Sequence, residues 1–360
     1  MREYAVLSAS SSHRWLSVPP IARLEELFEN KTSDAAEEGT VAHSLAEWKL
    51  KKELGYDEKR PDSSRIDKDM EYYTDSYISY VLDQIKDHSE VLVEQRLDFS
   101  TYVPEGFGTG DCIIVSENRL QIIDFKYGKG VEVVAKDNPQ MKLYALGALA
   151  LFDVLYDIED ITMTIFQPRK NNISSWAIAT EELLDWAETI LKPQAELAFK
   201  GEGTITYGPW FQFSNCGVVL RARHNYHKKL VDYQLPSPHQ LTDVEIEDVL
   251  THVDDLVKWA TEVKDYAIQV AKKTGKTWKG FRLAHGRSNR KFTDTDAVIE
   301  VAVANGYDNI YKKQLLSLTE IEKLMGKKTF KELLGEYVEK PEGKLTLVKD
   351  QSLEEDFGGK

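Results

Sequence analysis

The chain has 360 residues, 42% of them hydrophobic, with a formal charge of −14 and an isoelectric point near 5.2. That length can bury a sizeable core and suggests one large domain plus a smaller one, while the acidic balance argues against a general nucleic-acid coat protein and leaves room for an enzyme with a local basic track. Two cysteines make no disulfide framework, and with no apolar leader and no apolar run long enough to span a bilayer, a soluble cytoplasmic protein is expected.

In chain order, residues 8–12 look like a helix start leading into Arg14-Trp15-Leu16, and helical periodicity runs from Ile21 to Phe28. Residues 34–40 lead into a stronger helix from Val41 to Glu53, and an aromatic-rich helix spans Lys68 to Lys86. Strands follow at Val91 to Phe99, Cys112 to Ser116 and Leu120 to Lys126. After a loop rich in Gly and Lys come a helix from Pro139 to Leu151, a strand from Ile161 to Gln167 and a helix from Thr180 to Phe199. The pattern predicts an α/β core, a central mixed sheet flanked by helices, with helical additions. It fills a first domain, 1–225. A helical region, 226–350, follows: Pro236-Ser237-Pro238 marks a break, Asp243 to Thr274 reads as one amphipathic helix, and residues 278–291 are basic. Residues 351–360 read as a disordered acidic tail.

The chemistry concentrates in the strand pair. Thirteen positions separate Asp111 from Asp124, and the turn at residues 116–119 between two β-branched runs predicts a register that sets the two aspartates opposite each other. Directly opposed residues have Cβ atoms about 5 Å apart. Carboxylates that close repel unless a cation lies between them or one is protonated. Alternation puts Lys126 on the face of Asp124 and turns Phe125 into the core. His43 and Glu47 sit four apart on one helix face, as do Gln140 and Tyr144 at the start of another. Taken alone, each pair reads as well as a structural feature: a packed histidine, a solvated helix face, a hairpin cap.

In order, the chain gives a helical histidine, Gly108-x-x-Asp111, Asp124-x-Lys126 and Gln140-x-x-x-Tyr144. This resembles the RecB-like branch of the PD-(D/E)XK nuclease superfamily, and in particular its phage- and prophage-associated members, over residues 8–223. The resemblance implies a metal-dependent deoxyribonuclease, an exonuclease by analogy, acting in phage recombination or DNA processing in the bacterial host cytoplasm. It implies Mg²⁺ or Mn²⁺ held by Asp111, Asp124, the Phe125 carbonyl and His43, the imidazole tilting preference toward Mn²⁺. Lys126 would orient or help deprotonate the attacking water, and Gln140 and Tyr144 would position the strand or the water. Glu47 and Glu94 are auxiliary, with Glu94 equally well an exposed strand residue. Lys129 is a phosphate contact, and Lys276, Lys279, Arg282, Arg287 and Arg290, interleaved with Trp278 and Phe281, suit single-stranded DNA.

Many RecB-like relatives carry an iron–sulfur cluster on four cysteines. Here the corresponding places hold Val18, Phe211, Ser214 and Leu220, so no cluster is expected, with apolar packing in its stead. That departure motivates a second reading: an inactive nuclease fold that binds DNA or protein beside a recombinase or single-strand-binding protein.

Overall fold

The structure, a computed structural model, describes residues 5–28, 33–152, 155–211, 214, 216–231, 242–284, 295–304, 317–334 and 337–338. Its centre is a five-stranded mixed sheet in the order β1-β2-β3-β4-β5. These strands are β1 (Glu90–Asp98), β2 (Phe107–Ser116), β3 (Arg119–Phe125), β4 (Asp160–Gln167) and β5 (Asn172–Ala179). All neighbours pair antiparallel except β3 and β4, which are parallel. A parallel pair needs a crossover. Helix α5 of this fold, Pro139–Phe152, supplies it after four earlier helices: α1 (Ser12–Ser17), α2 (Ile21–Glu25), α3 (Asp34–Glu53) and α4 (Lys68–Gln84).

Both faces of the sheet are covered, and strand alternation sorts the side chains between them. Cys112, Ile114, Ile123 and Phe125 pack with Leu45 and Leu50 of α3 and Tyr77 and Val81 of α4. Ile113, Val115, Leu120 and Ile122 pack with α5 and with Trp15, Val18 and Ile21 of the N-terminal segment. Helix α3 starts at Asp34 because Ser33 caps it, its hydroxyl accepting from the Ala36 amide at 3.2 Å. Asp67 caps α4 in the same way, accepting from the Met70 amide at 2.8 Å.

Three local differences from the sequence reading have physical causes. Strand β2 begins at Phe107, so Gly108 to Asp111 lie within the strand and not in a turn before it. Strand β5 is an edge strand whose residues alternate between half-buried and exposed, with Ile173 53% exposed, which weakens the hydrophobic signal; Asn171 at φ 54° makes the turn into it. The helix expected from Thr180 to Phe199 is three pieces, α6 (Thr180–Trp186), a π-helical turn (Ala187–Leu191) and α7 (Lys192–Lys200).

Two further helices follow, α8 (Arg221–Val231) and α9 (Asp243–Thr274). The chain divides into two compact units. Among the described residues, the first takes those up to Glu245 together with Asp255–Lys264, and the second takes Ile246–Asp254 and those from Asp265 onward. In the first unit the buried Arg223 guanidinium pairs with Asp255 at 2.8 Å and Glu262 at 2.6 Å. The second unit contains α10 (Thr295–Ala304), α11 (Leu318–Met325) and α12 (Lys327–Leu334). The Pro236 break and the acidic tail fall outside the described residues. Among the described residues, no helix is long and apolar enough to cross a membrane.

Candidate metal centre

The hairpin register runs from Ser116 opposite Arg119 to Cys112 opposite Ile123, and one further step brings Asp111 to Asp124. Asp111 is engaged on both oxygens. Its Oδ2 accepts from the Phe125 backbone amide at 2.7 Å, and its Oδ1 lies 3.2 Å from His43 Nδ1. His43 comes from α3, its ring 5.4 Å from that of Phe125, so the phenylalanine that anchors β3 to the α3 face also supports the imidazole.

On the other side of Asp111 stands Glu94. Strand pairing is regular at Val93–Cys112 and Gln95–Gly110, and between those pairs Glu94 takes a left-handed backbone with φ 50°. Such a conformation in a strand is costly for a glutamate and collects at functional sites. Nitrogen or oxygen atoms of His43, Glu94 and Asp111 all lie within 4.8 Å of one another. They border a cavity of about 10 Å³, roughly one water's worth, which Glu47 and Tyr77 also line. The Tyr77 hydroxyl is buried with no hydrogen-bond partner among the described residues. One imidazole, two carboxylates and an orphan hydroxyl around a small cavity fit a divalent cation of the hard-to-borderline kind.

The titratable groups of the site shift one another strongly. Burial, then the Asp111 charge, push the Glu94 carboxyl up to about 7. Burial works against the His43 imidazolium, yet the Asp111 carboxylate outweighs it and raises His43 to about 9. Asp111 itself is lowered: burial opposes its charge, but His43, Lys126 and the Phe125 amide more than compensate. Asp124 goes the other way, raised by burial against the pull of Lys126.

Asp124 belongs to a second cluster. It is 2% exposed; its Oδ1 accepts a hydrogen bond from Lys126 Nζ at 3.2 Å, and its Oδ2 lies 2.9 Å from the same ammonium. Gln140 bridges outward from this pair: its Oε1 is 3.4 Å from Lys126 Nζ and its Nε2 donates to the Tyr144 hydroxyl at 3.0 Å. Burial disfavours the Lys126 ammonium, but Asp124 and Asp111 overcome this and keep its pKa above the usual lysine range. Gly108 makes room for the arrangement, because a Cβ there would fall 2.8 Å from the Tyr144 ring.

The fold therefore gathers His43, Glu47, Glu94, Asp111, Asp124, Phe125, Lys126, Gln140 and Tyr144 about the middle of β2 and the C-terminal end of β3. Glu94, expected as auxiliary or exposed, lies among the donor atoms, whereas Asp124 is outside that group of three. Glu47 accepts from Lys51 at 2.8 Å. For Phe125 the observed contact is through its amide. The signal that would have found Glu94 is its level with Asp111 across β1 and β2, which requires the pairing of strands distant in sequence. Lys129 lies exposed in the loop after β3. Lys276, Lys279 and Arg282 are exposed in the second unit, where Lys276 Nζ sits 4.2 Å over the Trp278 ring. Trp278 is half-buried and donates to the Ala267 carbonyl at 3.0 Å. Arg287 and Arg290 lie outside the described residues. Val18, Phe211 and Leu220 are buried in one core together with Cys216, whose Sγ is 3.2 Å from the Ser214 hydroxyl.

The solved structure of SSO0001 is similar to this chain at 15% identity and a TM-score of 0.26, covering 59% of this chain and 96% of that one. A family model described as "Protein of unknown function (DUF2800)" matches residues 4–353, nearly the whole length, and the chain belongs to that family.

Proposed function

We propose that this chain is a metal-dependent deoxyribonuclease of the RecB-like PD-(D/E)XK kind, acting as an exonuclease in phage recombination or DNA processing. The observation that carries the reading is the Asp124–Lys126 pair, with Nζ 2.9 Å from a buried carboxylate that stands opposite Asp111 of the His43–Glu94–Asp111 group. A structural ion pair has no need of an adjoining cluster of imidazole and carboxylates around a cavity. A hydrolytic site needs both.

A bound divalent ion supplies Lewis acidity toward a phosphoryl oxygen and lowers the pKa of the attacking water. The chain's own residues do the rest. Lys126, protonated at rest, offers positive charge and a hydrogen bond to the attacking water or to a phosphoryl oxygen. Asp124 holds that ammonium in place, and Gln140 couples it to Tyr144, which fixes the wall of the site. His43 and Glu94 must each shed a proton before they serve as ligands.

The test uses end-labelled single- and double-stranded linear DNA and a closed circle, incubated with the protein or its Asp124→Ala variant in Mg²⁺, Mn²⁺ or EDTA. Degradation of linear DNA alone, dependent on metal and on Asp124, is the expected result. Cleavage unchanged in Asp124→Ala removes the site proposed here. No cleavage and no metal binding, with DNA affinity intact, turns the assignment to a binding module working beside a recombinase or single-strand-binding protein.

A further inference from the structure

The loop between β3 and α5 has an asymmetry that the catalytic cluster does not explain. Its carbonyls are captured from below. Gly128 and Val131 oxygens accept from Gln167 Nε2 at 3.1 and 3.0 Å, and the Gly130 oxygen accepts from Lys170 Nζ at 3.0 Å. Gln167 is 2% exposed, and its own oxygen accepts from the Val133 amide at 3.2 Å and from Asn172 at 3.3 Å, so its amide is fully used. The loop's amides are treated differently. Among the described residues, no acceptor meets the N–H groups of Gly128, Lys129, Gly130 or Val131.

The two glycines are equally unexplained from within. Neither has a positive φ, and a Cβ at either would meet nothing within 4 Å. Internal packing and backbone conformation therefore tolerate alanine at both. Bare backbone with open space around it serves the close approach of something from outside the chain. Successive amides without acceptors are donors open to an anion, and Lys129 between the glycines adds a full positive charge. The exposed Glu132 follows the turn, one acidic group beyond it.

We propose that residues 128–131 form a phosphate-binding cradle, which takes a phosphoryl group of the DNA strand adjoining the scissile one. Gln167 and Lys170 act as positioning residues by holding the carbonyls away from the anion. DNA as the source of that phosphoryl group rests on the nuclease reading; the anion chemistry does not. Only Tyr127 and Gly128 separate Lys126 from Lys129, so a strand held here is presented to the catalytic pair.

The experiment is an amide NMR titration of the full ¹⁵N-labelled chain in EDTA, where no cleavage occurs, with a thymidine tetranucleotide bearing or lacking a 5′-phosphate. Saturable shifts at the amides of residues 128–131 are expected. A response only to the phosphorylated oligonucleotide assigns the cradle to a strand end; a response to both assigns it to an internal phosphodiester. Gly130→Ala should keep the parent melting temperature and lose at least tenfold in affinity. Lys170→Met should lose affinity likewise, and Lys170→Arg should restore it, which a merely structural lysine would not require. Absent shifts at these four residues, or parental affinity in Gly130→Ala, overturn the proposal. Cleavage in the Mg²⁺ or Mn²⁺ assay described above with no such shifts here defeats the cradle and leaves the nuclease; shifts here with no cleavage in that assay do the reverse.

Discussion

Glu94 and Asp111 face each other across β1 and β2, and at that pair alone the glutamate backbone turns left-handed, with φ 50° between two regularly paired neighbours. A conformation of this kind costs about 1–3 kcal/mol and persists where the surroundings enforce it. Its effect is to bring a second carboxylate to the His43–Asp111 pair. Glu94→Gln should therefore lower Mn²⁺ affinity by at least about tenfold, on the scale of altered metal-site partners. Glu94→Gly should lose the same affinity yet raise the stability of the metal-free protein by about 1 kcal/mol, since glycine accepts the backbone. Calorimetric titration and denaturant unfolding read the two effects separately, and unchanged Mn²⁺ affinity in both variants would exclude Glu94 as a ligand.

Stability of the metal-free protein should fall as pH rises from 5 to 9. The Glu94 carboxyl, raised from 4.5 to about 7, contributes stability that is complete below 4.5 and lost as pH climbs through 7. His43, raised from 6.5 to about 9, contributes stability complete below 6.5 and lost through 9. Metal affinity should run the opposite way and increase over the same range, because both groups release protons to bind. Melting temperatures with and without saturating Mn²⁺ at each pH check both slopes; parallel curves would contradict this.

Gly108→Ala should damage the site without touching any charged group. The new Cβ would sit 2.8 Å from the Tyr144 ring, which must shift and take with it the Gln140 side chain that donates to its hydroxyl. Overpacking of this order costs about 1–3 kcal/mol. Urea unfolding should show that loss, and DNA cleavage should fall more than metal affinity does.

Lys126→Met should separate chemistry from metal binding. Removing the ammonium takes away a group expected to contribute about 10²–10³-fold to rate, while His43, Glu94 and Asp111 remain. Single-turnover cleavage should drop accordingly with Mn²⁺ affinity within a few-fold of the parent. Cleavage at the parental rate would show that Lys126 is only Asp124's structural counterion.

Much of this arrangement was legible in the sequence because it is local. The β-branched runs around residues 116–119 fix the hairpin register, and the register carries Asp111 toward Asp124 and Lys126 onto the same face. Gln140 and Tyr144 follow from helical spacing alone. Glu94 was not legible in the same way: its place depends on a strand pairing outside the hairpin and on a backbone angle that no residue pattern announces. The orphan hydroxyl of Tyr77 is similarly hidden, since an aromatic on a helix facing the sheet reads only as core. Strand β5 escaped notice because its polar alternation dilutes the apolar signal. The cradle loop shows its glycines and lysine openly, but the capture of its carbonyls by Gln167 and Lys170 exists only once β4 lies beneath it.

The buried Arg223 sets a rule for dissecting the molecule. Its guanidinium, 4% exposed, depends on Asp255 and Glu262, and His227 Nε2 lies 3.2 Å from that same Asp255. A polypeptide ending after α8 but before residue 255 would retain the arginine and discard both of its carboxylates. An unpartnered buried charge costs about 3–5 kcal/mol, a large share of a domain's whole stability. Shortened forms that keep the His43–Glu94–Asp111 group but stop in that interval should thus be aggregation-prone on expression, and the shortest well-behaved fragment should run past Glu262.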